Sequence, residues 1–172
     1  GKGAENGILI KSGEALETAH KLRAVVFDKT GTLTKGEPEV TDIQATEVLS
    51  EVQLLEYAAV AEKNSEHPLG QAIVGLAKSK GIELPDPDDF NAIPGHGVEV
   101  KYKGSTVLLG NRKLMETNNI DIVKLEEKMV AFEQQGKTAM LLSVDGKAAG
   151  LIAVADTLNE HSAEAVASLK KM

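Results

Sequence analysis

Apolar and polar positions fall into two textures along this chain. Ala24-Val25-Val26-Phe27 is an unbroken apolar run ending at Asp28, the pattern of a strand buried on both faces, as in a parallel sheet covered by helices. Ahead of it, Ser12 precedes a stretch from Gly13 to Leu22 that carries Glu14 and Glu17 early and Lys21 late. This predicts a capped helix with charges complementing its dipole, and His20 falls within it. From about Val40 the texture changes. Ser50-x-x-Gln53 has capping-box spacing and opens a helix whose stripe Val52, Leu55, Ala59 runs on to Glu62, so a carboxylate lies on an apolar face. A second helix carries Leu69, Ile73, Leu76 and Ala77 on one side and stops at Gly81, with Pro85 to Asp89 as the loop after it. Val98, Val100 and Tyr102 then alternate with Glu99, Lys101 and Lys103, a half-buried strand that Lys103-Gly104 turns back into Thr106 to Leu109. An amphipathic helix from about Ile122 to Gln134 leads to a strand from Thr138 to Val144, and Asp145-Gly146 is a hairpin turn into a strand around Gly150 to Ala155. The pattern from Glu160 is helical again.

These elements predict two units. Residues 37–153 read as an antiparallel sheet with flanking helices, an α+β unit interrupting a parallel α/β unit built from residues 1–36 and 154–172. The interrupted unit holds about two strands and two helices, too few to close a doubly wound sheet, so the chain reads as a piece of a longer protein. It shows neither an internal repeat nor a low-complexity tract.

Composition narrows the function classes. With 42% hydrophobic residues in 172, the chain can bury a sizeable core. Nineteen Lys and Arg against 26 Asp and Glu leave a formal charge of −7, which disfavours nucleic acid and anionic bilayers as partners. The absence of cysteine excludes disulfides, thiolate metal sites and a cysteine nucleophile. The longest small-and-apolar run, Ala148 to Ala155, is far short of the roughly 20 residues of a membrane-spanning helix, and no signal-peptide core opens the chain, so a soluble chain is expected. His20, His67, His96 and His161 are scattered without ligand spacing.

The strongest chemical signal is Asp28-Lys29-Thr30-Gly31-Thr32-Leu33-Thr34: a carboxylate at the end of a predicted strand, then hydroxyls and a glycine that frees the backbone to wrap an anion. Read from the residues, Asp28 is a nucleophile for phosphoryl transfer, with amides and Thr hydroxyls donating to the transferred group. A bare Asp-x-Thr-Gly is equally an Asx-turn after a strand. The full heptapeptide, however, resembles residue for residue the phosphorylation motif of P-type ATPases, within the haloacid-dehalogenase-like superfamily. Phosphatases of that superfamily place a second Asp two residues after the nucleophile, as general acid and base; Thr30 stands there in this chain. A hydroxyl cannot activate water near neutral pH as a carboxylate can, so a phosphoryl group on Asp28 is expected to persist.

Ser65-Glu66-His67-Pro68-Leu69 strengthens the resemblance. Pro68 suits the first helical position, which makes His67 an N-cap of unusual type. The pentapeptide resembles that of heavy-metal-transporting P-type ATPases, where the histidine orients ATP and a glutamate five residues earlier contacts adenine. These roles fall on His67 and Glu62. Gly95-x-Gly97-Val98 and Gly110-Asn111 read alone as turns, but they resemble the two glycine motifs lining the nucleotide pocket of the same family. Aromatic residues make up 3% of the chain with no Trp, so adenine is expected to rest mainly on aliphatic contacts, amides and Glu62. Two look-alikes are set aside. Gly136-Lys137-Thr138 lacks the earlier P-loop glycine and links a helix to a strand, and Gly95-x-Gly97 has Val100 where a dinucleotide fingerprint places its third glycine. The charged stretch Lys124 to Lys128 reads as a solvated helix face.

The resemblance runs from Gly1 to Lys11, like the family's approach to the phosphorylated Asp, as far as Asp156-Thr157, like its return element. Asn159 stands where Lys or Arg is common. It implies a nucleotide-binding domain (37–153) inserted into an incomplete haloacid-dehalogenase-like phosphorylation domain (1–36 and 154–172). The implied cofactors are ATP and Mg²⁺, with Asp28, Lys29 and Thr30 as catalytic residues and Asp28 and the Thr30 carbonyl on magnesium. Glu62, His67, Gly95, Gly97, Val98, Gly110 and Asn111 would hold ATP or ADP. The implied setting is the cytoplasmic region of an integral-membrane heavy-metal pump of copper type, its partners the pump's other domains, and the transported ion bound elsewhere. The alternatives are a stand-alone phosphatase of the superfamily and a non-catalytic interaction domain.

Overall fold

A computed structural model describes residues 2–5, 7–19 and 21–171, so the readings placed on Gly1, Asn6 and His20 lie outside the described residues. Two short helices, α1 (Lys2–Glu5) and α2 (Gly13–Ala19), come first. Then follow β1 (Thr34–Ala45), α3 (Glu51–Ala61), α4 (Pro68–Ser79), β2 (Asp89–Ile93), β3 (Gly97–Tyr102) and β4 (Ser105–Gly110). The chain continues through α5 (Arg112–Thr117), α6 (Val123–Gln134), β5 (Thr138–Val144), β6 (Lys147–Leu158) and α7 (Ser162–Lys171). The strands form one six-stranded sheet in the order β1-β6-β5-β4-β3-β2, with antiparallel pairing throughout.

Local chemistry explains most of these elements. Lys103 and Gly104 (φ 52° and 79°) and Asp145 and Gly146 (φ 45° and 78°) supply the left-handed pairs that close tight hairpins between β3 and β4 and between β5 and β6. The Asp145 carboxylate also accepts from Thr106 N–H at 2.9 Å, which fastens one hairpin to the other. At α3 the capping box is complete: Ser50 Oγ accepts from Gln53 N–H at 3.3 Å and Gln53 Oε1 from Ser50 N–H at 3.0 Å.

Side chains on the sheet sort into two cores. On one face Val100, Val107, Leu109, Leu142 and Ile152 pack against Leu54, Leu55, Ala58 and Ala59 of α3 and Ile73 and Ala77 of α4. On the other, Leu108, Leu141, Leu151 and Ala153 meet Leu114 and Met115 of α5 and Leu125, Met129 and Phe132 of α6. Strands β4 to β6 are therefore apolar on both faces, while β3 buries only Val98, Val100 and Tyr102. Each leucine taken fully out of water contributes about 1.5–3 kcal/mol.

The structure corrects several expectations. Residues Ala24 to Phe27 form no strand, and Val26 is 95% exposed. A strand buried on both faces needs neighbours on both sides, and among the described residues no parallel pairing exists, so the parallel part of the expected fold is not assembled. Val52 is exposed although it lies only about 20° of rotation from Ala59 on the buried face, because it stands in the first turn of α3, ahead of the stretch from Leu54 that packs on the sheet. Leu55, Ala59 and Glu62 do share that face. Strand β2 and helix α5 were not anticipated. Phe90 alone of the large apolar residues marks the front of β2, behind a run of Pro and Asp, and α5 is only six residues long. Helix α2 forms on its Ser12 cap (Ala15 N–H to Oγ, 3.1 Å) but buries nothing.

Positions 36 and 154 fall inside β1 and β6, which pair from Thr34↔Leu158 to Ala45↔Gly150. Register breaks between Thr34 and Pro38, where proline offers no N–H to the ladder, and again between Val40 and Asp42. The innermost β5 partner of β6 is Thr138↔Val154, so residues 34–39 of β1 and 155–158 of β6 continue beyond the sheet as a two-stranded ribbon.

Candidate functional site

The ends of β3, β4 and β5 nearest that ribbon frame a cleft of about 430 Å³. Its lining includes Glu62, His67, Gly95, Gly97, Val98, Gly110 and Asn111, all seven of the residues expected at a nucleotide site. Each is positioned by a specific local device. Glu62 closes α3 and is 4% exposed. His67 caps α4, its Nδ1 accepting from Leu69 N–H at 3.2 Å, and its own N–H donates to Ser65 Oγ at 3.2 Å. An accepting Nδ1 places the ring proton on Nε2, leaving that edge of the exposed imidazole as a donor. Asn111 does two tasks: Oδ1 caps α5 by accepting from Leu114 N–H at 3.1 Å, and Nδ2 donates to Gly95 O at 2.9 Å, tying the two glycine segments together.

Gly97 and Gly110 are register partners, and the backbones meet so closely that a Cβ on either would collide. At Gly97 (φ +145°) it would strike the Leu109 carbonyl oxygen, and at Gly110 that of His96. The cleft floor is thus bare backbone. Its walls are aliphatic, from Leu69, Ile93, Val98, Ala139 and Met140, with no Phe or Tyr among them. Thr138 to Met140 belong to the site and were missed by sequence reasoning. Gly136-Lys137-Thr138 does join a helix to a strand, and only the pairing of β5 with β4 brings its end to the cleft.

Burial pushes the Glu62 carboxyl above the usual carboxylate range, against the smaller opposing effects of the Ser65 hydroxyl and His67. Oε2 is shut off from solvent with no hydrogen-bond partner. It lies over Gly70 of α4, where a Cβ would come within 2.9 Å of the Glu62 carboxyl carbon and nearer still to Oε2. A larger groove of about 660 Å³ between β1 and α4 is lined by Glu37 and Glu39 without a basic residue, an unfavourable surface for phosphates.

Asp28, Lys29 and Thr30 lie outside the cleft. They are exposed in a wound turn at the tip of the ribbon, where Gly31 (φ 73°) reverses the backbone before Thr34. Sheet order places β1 three strands from β4, but turn and cleft are at the same end of the sheet. The turn is clasped from β6 and beyond. Thr34 is 2% exposed and donates to an Asp156 carboxylate oxygen, while the other oxygen accepts from Gly36 N–H at 3.0 Å. Asn159 Nδ2 lies 3.0 Å from both the Thr32 and Thr34 carbonyls, and Ser162 Oγ donates to Leu33 O at 2.8 Å. The Asp28 carboxylate and the Thr30 carbonyl would supply two of magnesium's six ligands. Magnesium is commonly held by one or two carboxylates and completed by waters and substrate phosphates, a mode these two oxygens suit; among the described residues no cluster of three His, Asp or Glu stands beside them.

The pattern of haloacid dehalogenase-like hydrolases matches residues 22–172. The chain belongs to that family. The match supports a phosphorylation-domain contribution to this chain. Over its whole length the chain is 48% identical to a copper-exporting P-type ATPase of Bacillus subtilis, and over 98% of it 46% identical to one of Staphylococcus saprophyticus. It spans about 21% of the length of these relatives. A zinc-transporting PIB-type ATPase solved in its E2·Pi state superposes with a TM-score of 0.88 at 35% identity, covering 98% of this chain and 27% of that one. The catalytic domain of a CPx-ATPase, from a study of nucleotide binding, superposes at 0.65 and 26% identity, covering 99% of this chain and 58% of that one. The chain therefore corresponds to the nucleotide-binding and catalytic region of P-type ATPases of the copper-exporting kind, and neither a stand-alone phosphatase nor a non-catalytic module is favoured. No helix among the described residues is long and apolar enough to cross a membrane.

Proposed function

We propose that this chain binds ATP and ADP in the cleft between α3, α4 and the ends of β3 to β5, and that in a longer metal-exporting pump the bound ATP phosphorylates Asp28. What supports this most is that seven residues from four separate stretches of sequence line one cleft, at the sheet end that also carries Asp28. Glu62 and the aliphatic walls would take the base, the bare backbone at Gly97 and Gly110 lets a flat ring approach closely, and His67 Nε2–H would donate to a phosphate oxygen. The copper substrate is supported by the names of the relatives. Residues 37–153 would move as a nucleotide-binding domain on the β1/β6 ribbon, bringing the terminal phosphate to Asp28, with the pump's other domains as partners and this region on the cytoplasmic side.

Thr30 bears on the fate of the phosphorylated Asp28. With no carboxylate two residues after the nucleophile, nothing in this turn deprotonates an attacking water, so the intermediate would survive long enough to couple to movement. The test is a titration of the isotopically labelled chain with a non-hydrolysable ATP analogue, for wild type and His67→Gln. Amide shifts clustered at Glu62, His67, Gly95 to Val98 and Gly110, and weakened in the variant, are expected. Absent or scattered shifts would refute the nucleotide site.

A further inference from the structure

Glu62 presents an unusual problem of charge. It is 4% exposed, closes α3 beneath an aliphatic cleft, and its Oε2 has no hydrogen-bond partner. An ionised carboxylate accepts only, and burying one without donors is costly. The charged and titratable groups about it are few. His67, at the start of α4, acts on it, and His96, in the turn before β3, lines the same cleft with its Nδ1 2.9 Å from Pro94 O. Lys63 and Glu66 flank it in sequence, and Lys63 is held by Asp86 at 2.6 Å. From β3, β4 and β5 the cleft receives only uncharged groups: Val98, Gly110, Asn111, Thr138, Ala139 and Met140.

The edge of adenine sets out an amine donor beside a ring-nitrogen acceptor. A carboxylate meets the amine but turns a second lone pair toward the ring nitrogen, whereas a carboxylic acid satisfies both at once. We propose that Glu62, rotated so that both carboxyl oxygens face the cleft, reads adenine as a neutral acid, accepting from the exocyclic amine and donating its proton to N1, so that nucleotide binding holds one proton in the cleft. This rests on the nucleotide-binding reading and adds to it the protonation state that recognises the base. The proton carries a pH signature: above the carboxyl's free-state pKa, affinity for ATP falls toward a limit of about tenfold per pH unit.

The ATP phosphates also change protonation across this range, so the test compares two proteins that bind the same nucleotide and differ only at position 62. The dissociation constant for ATP is measured by calorimetry from pH 5 to 9 for wild type and Glu62→Gln, whose amide keeps a donor and an acceptor but does not titrate. Carbon-13 NMR of the free protein locates the Glu62 midpoint independently of binding. The ratio of the wild-type constant to that of the variant is expected to be level below that midpoint and to climb by up to about tenfold per unit above it. With 1-deaza-ATP, in which N1 is replaced by C–H, the climb should vanish. A ratio that stays level through the midpoint, or a climb unchanged with the deaza analogue, overturns the proposal while leaving ATP binding intact. Failure of both proteins to bind ATP at every pH overturns the nucleotide reading, and this inference with it.

Discussion

Gly70→Ala separates the binding role of Glu62 from the stability of the fold. Gly70 lies in the first turn of α4, and an added Cβ would come within 2.9 Å of the Glu62 carboxyl carbon. Ordinary carbon contacts are about 3.5–4.0 Å, so the carboxyl must withdraw by roughly 1 Å. The nearest obstacles are the carboxyl atoms at the end of a flexible side chain, with the Glu62 Cβ a tight contact at 3.1 Å that a shift of a few tenths of an ångström relieves, and alanine gains about 1 kcal/mol over glycine within a helix. The two effects offset, and the melting temperature should move by no more than about 4 °C. Binding should respond differently. Two neutral hydrogen bonds to a base are together worth about 1–3 kcal/mol, so misplacing the carboxyl weakens ATP by about fivefold to a hundredfold. Calorimetric titration beside a thermal melt reads both. A folded Gly70→Ala chain binding ATP within twofold of wild type would refute the reasoning.

Gly97→Ala should do the opposite and damage the fold. The left-handed backbone (φ +145°) costs a side chain about 1–2 kcal/mol and the collision with Leu109 about 1–3 more, lowering the melting temperature by roughly 5–15 °C; an unchanged melt would contradict the close approach to β4. Asp42 is pushed up by its own burial but pulled below the usual carboxylate range by hydrogen bonds from Lys137 and Thr41 and by the charges of Lys137 and Lys128. A lowered folded-state pKa stabilises above the unfolded value of 3.8 and is lost as pH falls through the folded value. Asp42→Asn should therefore cost up to about 1 kcal/mol at pH 7 and nothing near pH 2, by urea unfolding at each pH. In a full-length pump, Asp28→Asn should abolish the phosphorylated intermediate while ATP binding persists, and radiolabelled phosphoenzyme in the variant would exclude Asp28 as the acceptor.

Where structure follows from neighbours within four residues, the chain was legible on its own. The Ser50–Gln53 capping box, His67 before Pro68, the left-handed pairs at Lys103-Gly104 and Asp145-Gly146, and the alternation along β3 all appear where the pattern placed them. The seven cleft residues came from motif resemblance, not from periodicity. They meet because β3 and β4 pair Gly97 with Gly110, while Asn111 ties the second glycine segment to the first.

What the sequence alone determined is thus local conformation and the inventory of chemistry: which segments coil or extend, and which carboxylate, imidazole and glycines stand ready. Tertiary structure decided which of them act together. Ala24 to Phe27 and Leu151 to Val154 are both unbroken apolar runs, yet one is exposed and the other lies buried in the sheet, because strand burial is granted by partners far away in sequence. The same holds for Gly70 beneath Glu62 and for Asn159 clasping the turn after Asp28, contacts that carry no periodic signal. The charge state of Glu62 belongs with them, since desolvation is a property of what surrounds a carboxyl and not of the carboxyl itself.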